Sequence, residues 1–307
     1  MSIGQLWSQT FPPKTKFRAE DVPDLSGKVM LVTGGNTGIG KEIVRVLLTH
    51  NAKVYLAARN VDKGRAAIDE LQKDTGKEAI LLQLDLCSLK SIQGAAEEFS
   101  SKERELHALF NNGGVMFLTS GPHALEVTED GYDIQWATNA LGPFYFTTLL
   151  MPALTAGAKQ SPDGKARVTF SASIVQTKSI NYDVMTDTPA RKKMSADQRY
   201  GQSKFANVVM AREFARRYGD KGLLFNSLDP GKPLLRFIKI HLSPMLYPAP
   251  MGALTPLWAA TSPEAADLNG KFLIPFARVG VASDASQDPK VGEKLFEYLE
   301  GVVMLDR

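Results

Sequence analysis

Residues 28–50 read KVMLVTGGNTGIGKEIVRVLLTH. A short apolar run, KVMLVT, stops at a glycine cluster, and an apolar-periodic stretch, KEIVRVLLTH, follows directly. That order predicts strand, turn and helix. Glycines at 34, 38 and 40 permit positive φ and close approach of backbone to a ligand. The helix start offers free N–H groups and a positive dipole to a phosphate. Strand and helix on either side of the turn are the context that a dinucleotide fingerprint requires.

The unit repeats outward from there. AKVYLAAR (52–59) predicts a second strand and DKGRAAIDELQKDTG (62–76) an amphipathic helix capped at Gly76. AILLQLDL, LKSIQGAAEEFSSKE and HALFNNGG continue as strand, helix and strand. A long helix is expected over 130–154, bent or interrupted by Pro143. ARVTFSAS is a fifth strand, Tyr200–Tyr218 a helix, GLLFNSLDPG a sixth strand and GKFLIPF a late one. Strands alternating with helices of this length imply an α/β fold, a doubly wound parallel sheet covered on both faces. With no repeat and no linker visible, the expectation is an N-terminal arm (1–26) and one domain (27–307), with a substrate lid at about 232–261.

Composition excludes several classes. Of 307 residues, 44% are hydrophobic and 22% charged, as in an ordinary globular protein. The net charge of +3, without a long basic block, does not suggest nucleic-acid binding. The single cysteine, Cys87, cannot form an internal disulfide, and no Cys/His spacing suggests a metal. The first residues lack the apolar core of a secretory signal, and no uninterrupted apolar stretch predicts a spanning helix. A reducing, cytoplasmic setting is the expectation. Residues 233–260 are apolar enough to touch a membrane surface, but five prolines interrupt them, and a lid is the favoured reading.

The end of the second strand bears on the cofactor. An acid there would bind the ribose hydroxyls of NAD, whereas an arginine accommodates the phosphate of NADP. The sequence has Ala57, Ala58 and Arg59, with Lys63 one turn on. NADP(H) is favoured, the alternative being simply an exposed arginine in a polar loop. In RYGQSKFANVVMAREF (199–214), Tyr200 and Lys204 fall one turn apart on one helix face.

With TGGNTGIG, NNGG, a serine in strand five and YGQSK in order, the chain resembles the short-chain dehydrogenase/reductase family from about Gly27 to Pro230. It is most similar to the retinol-dehydrogenase-like branch and its fungal relatives, some of them in secondary metabolism. The resemblance implies a Rossmann fold and a catalytic group of Asn139, Ser173, Tyr200 and Lys204. Tyr200 would donate a proton to a carbonyl oxygen, or take it back. Lys204 would lower the phenol pKa and bind the nicotinamide ribose. Ser173 would orient the substrate oxygen, with Ser171 as its competitor on the same strand face, and Asn139 would hold a water leading to Lys204. The same correspondence implies cofactor contacts at Gly34, Asn36, Thr37, Gly38, Ile39, Gly40, Asp85, Leu86, Asn112, Gly113, Gly114, Pro230 and Gly231, beside Arg59 and Lys63. A homodimer through helices at about 139–155 and 200–218 is also implied.

Three stretches depart from the family. NNGG (111–114) has Gly113 where a small side chain usually packs, so a looser turn is expected. FSAS replaces the more common NVSS. PGKPLLR puts Leu235 where a threonine usually meets the nicotinamide, with Pro233 stiffening the approach. The implied activity is NADPH-dependent reduction, or the reverse oxidation, of an apolar terpenoid, lipid or aromatic substrate. Phe237, Ile238, Leu242, Met245, Leu246, Tyr247 and Trp258 would form its pocket, or belong to core or a contact. The alternatives are a cofactor-binding protein without redox turnover, and an isomerase or cyclase using the same site.

Overall fold

The computed structural model describes residues 3–116, 125–231 and 247–304. Eight strands form one sheet: β1 (Val29–Thr33), β2 (Lys53–Ala58), β3 (Ile80–Gln83), β4 (Ala108–Asn111), β5 (Ala166–Ser171), β6 (Leu223–Leu228), β7 (Phe272–Ile274) and β8 (Arg278–Val279). Their order is β3-β2-β1-β4-β5-β6-β7-β8. Every neighbouring pair is parallel except β7 and β8, which are antiparallel.

Helices follow the strands: α1 (Ile3–Thr10), α2 (Gly38–Thr49), α3 (Val61–Thr75), α4 (Leu89–Lys102), α5 (Ile134–Trp136), α6 (Gly142–Gln160), α7 (Pro189–Lys193), α8 (Ala196–Tyr218), α9 (Ala249–Thr261), α10 (Asp284–Gln287) and α11 (Pro289–Met304). The fold is thus the expected doubly wound α/β arrangement. Strand β1 is buried throughout because both its faces are covered. Val29 and Leu31 pack with α4, α6, α8 and α11, while Met30 and Val32 pack with α2, α3 and α9. The strand order reverses between β1 and β4, whose carboxyl ends open the crevice where such sheets bind ligands.

The ends of the elements follow local chemistry. Asn60 caps α3 through the Lys63 amide, and Gly76 closes it at φ 70°. Ser195 and Gln198 form a capping box that starts α8 four residues ahead of Tyr200. The long helix expected over 130–154 runs without a break from Ile134 to Gln160, and Pro143 does not interrupt it. Ala137–Leu141 form a π-helical segment within it, just ahead of Pro143.

Two expectations change at the ends of the domain. The N-terminal arm is not loose throughout, because Phe17, Val22 and Leu25 are buried in the core face shared with α2 and α9. The stretch 249–261, expected as part of the lid, is not part of one. Residues 249–261 are the buried helix α9, where Leu254, Leu257 and Trp258 pack on the sheet and Gly252 lies against Ile39. Its apolar character reflects core packing. Pro233, Leu235, Phe237, Ile238, Leu242, Met245 and Leu246 lie outside the described residues. Helix α11, not foreseen in the sequence, lies along α8 through Phe296 against Phe214.

Candidate active site

The glycine turn joins β1 to α2 with Gly34 at φ 64° and Gly38 at φ 56°. A Cβ on Gly40 would fall 2.2 Å from the Gly34 carbonyl oxygen, so the turn closes only with glycine there. Thr37, the N-cap of α2, makes no side-chain capping bond. The first amide groups of α2 therefore face outward with the helix dipole behind them, as a pyrophosphate would need. Asn36 and Ile39 are half-buried beside them.

Asn112 braces the turn from β4, its Nδ2 donating to the Thr33 carbonyl at 3.1 Å, and the Gly113 amide donates to Thr33 Oγ1 at 2.9 Å. This corrects the expectation of a looser turn at NNGG. Gly113 is wedged, because a Cβ there would come 2.9 Å from Leu86 Cδ1 and 3.1 Å from Thr33 Oγ1. Leu86 takes the space that a side chain at 113 would fill. Gly114 is held as closely, since its Cβ would meet Asn139 Oδ1 at 2.9 Å and Lys204 Nζ at 3.4 Å.

Arg59 and Lys63 are exposed at the end of β2 and the start of α3. Arg59 makes no hydrogen bond or ion pair among the described residues, leaving its guanidinium available to an anion. Asp85 is half-buried after β3 and accepts from the Cys87 amide at 3.0 Å. Gly231, at φ 83°, donates its amide to Asp229 Oδ1 at 3.2 Å, with Pro230 half-buried before it. The glycine cradle, the open helix N-terminus and the free arginine fit a phosphorylated dinucleotide.

Tyr200 and Lys204 come from α8 and point toward the carboxyl end of β5, both nearly buried at 6% and 5% exposure. Lys204 Nζ donates to the Ser171 carbonyl at 2.7 Å, and Asn207 Nδ2 donates to the same oxygen at 2.9 Å. Lys204 Nζ also lies 5.6 Å from the centre of the Tyr200 ring. Ser173 hydrogen-bonds the Tyr200 phenol and accepts the Val175 amide at 3.1 Å. Of the two serines, Ser173 meets the phenol with its side chain and Ser171 meets Lys204 with its backbone.

Burial pushes the Tyr200 phenol up to about 12, the Ser173 bond opposing and the Asp229 charge adding to the rise. The shift is upward, with burial its largest cause, and Lys204 is not among the groups that set it. Burial also brings the Lys204 ammonium down to about 8. Asn139 is committed through its side chain. Its Nδ2 donates to the Val115 carbonyl at 2.9 Å and Ser203 Oγ at 3.0 Å, and its Oδ1 accepts the Val115 amide at 2.8 Å. The side chain is spent on stapling the turn after β4 to α8, and the π-helical segment is what turns it that way.

Sequence reading missed Asn207, Ser203 and Asp229. Asn207 lies three residues beyond Lys204, a spacing that marks the same helix face. Asp229 is buried directly before Pro230 and Gly231, and a carboxylate in LDPG was a visible signal. For Ser203, hidden behind Tyr200, no sequence signal existed.

A model of the short chain dehydrogenase family matches residues 28–233, more than half of the chain. A short-chain dehydrogenase/reductase of Armillaria gallica is 52% identical over 310 residues, covering 97% of this chain and 98% of the relative. Mouse retinol dehydrogenase 12 is 34% identical over 301 residues, covering 94% and 91%. Among solved structures, a protein of unassigned function from Mycobacterium paratuberculosis superposes with a TM-score of 0.74 at 26% identity, covering 94% of this chain and 98% of that one. The glycine turn, the sheet order and the Tyr200–Lys204 face thus sit within a match that spans them all, and the chain belongs to the short-chain dehydrogenase/reductase family.

Proposed function

We propose that this oxidoreductase is an NADPH-dependent carbonyl reductase, running in reverse as an alcohol dehydrogenase, that acts on an apolar substrate. The observation that carries this reading is the placement of the buried Tyr200 phenol, hydrogen-bonded to Ser173 with Lys204 Nζ 5.6 Å from its ring centre. Bound NADPH supplies the hydride. Tyr200 holds the proton that the substrate oxygen takes up as it becomes a hydroxyl. Ser173 orients that oxygen, a positioning effect that lowers the barrier without covalent chemistry. Lys204, fixed on the Ser171 carbonyl, keeps a positive charge beside the phenol as the proton leaves. Asn139 holds the Val115 turn against α8.

The free Arg59 supports NADPH over NADH. An apolar substrate is supported by Val175, exposed two residues past Ser173, and by exposed Leu125 and Val127 at the edge of the neighbouring segment. A homodimer through α6 and α8 would have to accommodate α11, which already lies along α8.

The test follows the loss of NADPH absorbance with apolar ketones, aldehydes and quinones, for the parent and Tyr200→Phe. The substitution should lower kcat/KM by about 10²–10⁴-fold while NADPH binding persists. Turnover indifferent to it would sink the proton-donor role. Tight NADPH binding with no turnover on any substrate would favour the binding-protein reading.

A further inference from the structure

Among the described residues, eight large apolar side chains are exposed, and four of them, Trp7, Phe11, Val279 and Val281, belong to two adjoining segments. Trp7 (65% exposed) and Phe11 (43%) stack one helical turn apart at the end of α1, ring centres 4.4 Å apart. Val279 (50%) and Val281 (60%) project from one side of β8 and the residue pair after it. Arg278 joins the segments, donating to Ser8 Oγ at 3.0 Å and to the Ser8 carbonyl at 2.8 Å. The Tyr247 hydroxyl donates to the Thr10 carbonyl at 3.3 Å, and its ring packs edge-on against Phe276. Buried Phe17 pins the chain that follows. The patch is therefore built into the fold.

Its chemistry selects an occupant. Residues 1–18 carry three cations, Lys14, Lys16 and Arg18, and no carboxylate. All three are exposed, and none forms an ion pair among the described residues. An exposed tryptophan followed within eleven residues of sequence by three uncommitted cations matches the interface of a bilayer with anionic headgroups, where an aromatic ring sits at the headgroup level and lysines meet the lipid charge. We infer that this α1–β8 face docks the protein on an anionic membrane surface, in plane and without spanning it. No helix among the described residues is long and apolar enough to cross.

The experiment uses the full chain and vesicles of phosphatidylcholine with and without phosphatidylserine, read by sedimentation and tryptophan emission. Trp136 and Trp258 are buried, so Trp7 is the reporter. Emission should shift to the blue with anionic vesicles, with partition at least about tenfold above neutral ones and falling as salt rises. Trp7→Ser with Phe11→Ser, and separately Lys14→Glu with Lys16→Glu, should each lower partition about tenfold or more while the unfolding transition stays unchanged. No partition onto either vesicle would overturn the inference, as would partition indifferent to both pairs of substitutions. So would self-association that Trp7→Ser abolishes, which would assign the patch to a second copy of this chain. The readout is physical partition, independent of whether the catalytic reading holds.

Discussion

Lys204 and Ser173 reach the same stretch of chain from opposite sides. The ammonium takes the Ser171 carbonyl at 2.7 Å, and two residues later the Ser173 hydroxyl takes the Tyr200 phenol. Ser171 serves through its backbone, so its side chain is dispensable, whereas the Ser173 hydroxyl is not. Ser173→Ala should lower kcat/KM by about 10²-fold or more, the usual cost of removing one donor from a reacting oxygen. Ser171→Ala should stay near the parent value. Steady-state kinetics on the two variants separates them, and equal losses would mean that the serines share the role.

Lys204 is held as a cation in a place that burial makes costly. Its pKa falls from 10.5 to about 8 through desolvation, so between these values the unfolded chain binds a proton that the folded chain does not. Stability should therefore rise with pH across that window, the penalty being fully present below about 8. Lys204→Met should abolish the rise, be more stable than the parent at neutral pH without cofactor, and lose turnover. Thermal unfolding of both proteins across the window checks the sign. A parent that gains nothing there would show that the ammonium is not buried at a cost.

Asp133 is a buried carboxylate between two buried guanidinium groups. Arg191 Nη1 lies 3.0 Å from Asp133 Oδ2 and Arg199 Nε 3.1 Å from the same oxygen, while Oδ1 accepts the Gln135 and Trp136 amides at the start of α5. Asp133→Asn keeps the shape and a capping oxygen but leaves the cations without their counter-charge. A loss of about 3–5 kcal/mol in urea unfolding is expected, as for other buried pairs broken on one side. Arg199 adjoins Tyr200, so kcat should fall as well.

How legible this was in the sequence depended on the range of the signal. The glycine turn and the buried run of β1 are written locally, in Gly34, Gly38, Gly40 and the apolar residues ahead of them. So are Tyr200 and Lys204, at helical spacing. The parallel sheet covered on both faces followed from alternation of strands and helices. What stayed hidden depends on contacts distant in the chain. Trp258 and Leu257 read as lid residues because apolar character does not tell a pocket wall from a core helix. The Asn139 bonds to Val115 and Ser203 were hidden because they join segments far apart in the chain. The upward shift at Tyr200 comes chiefly from burial, which no motif encodes.

Arg59 is exposed and uncommitted at the end of β2, where a phosphate on the adenosine ribose would meet it. Arg59→Ala should weaken NADPH binding by about 1.5–3 kcal/mol, the worth of a hydrogen bond to a charged group, and leave NADH binding unchanged. Titration of intrinsic fluorescence with each cofactor gives both numbers. An equal loss for the two would place Arg59 away from the discriminating phosphate.

Gly40 and Gly113 lie in the same cradle but resist a methyl group for different reasons. At Gly40 the added carbon would stand 2.2 Å from the Gly34 carbonyl oxygen and 2.6 Å from Asn112 Nδ2. The first obstacle is backbone, so Gly40→Ala must open the turn, and loss of both cofactor binding and stability is expected. At Gly113 the nearest atom, 2.9 Å away, is Leu86 Cδ1, the movable end of a side chain. Gly113→Ala should therefore cost only about 1–3 kcal/mol, the range for an overpacked site. Leu86→Val in the same protein should recover part of it, because a shorter side chain vacates the space. A double-mutant cycle by urea unfolding gives the coupling, about 0.5 kcal/mol or more if the two positions compete for one volume. No recovery would mean that Thr33 Oγ1, at 3.1 Å, is the true obstacle, and NNGG would then reflect the β1 end rather than Leu86.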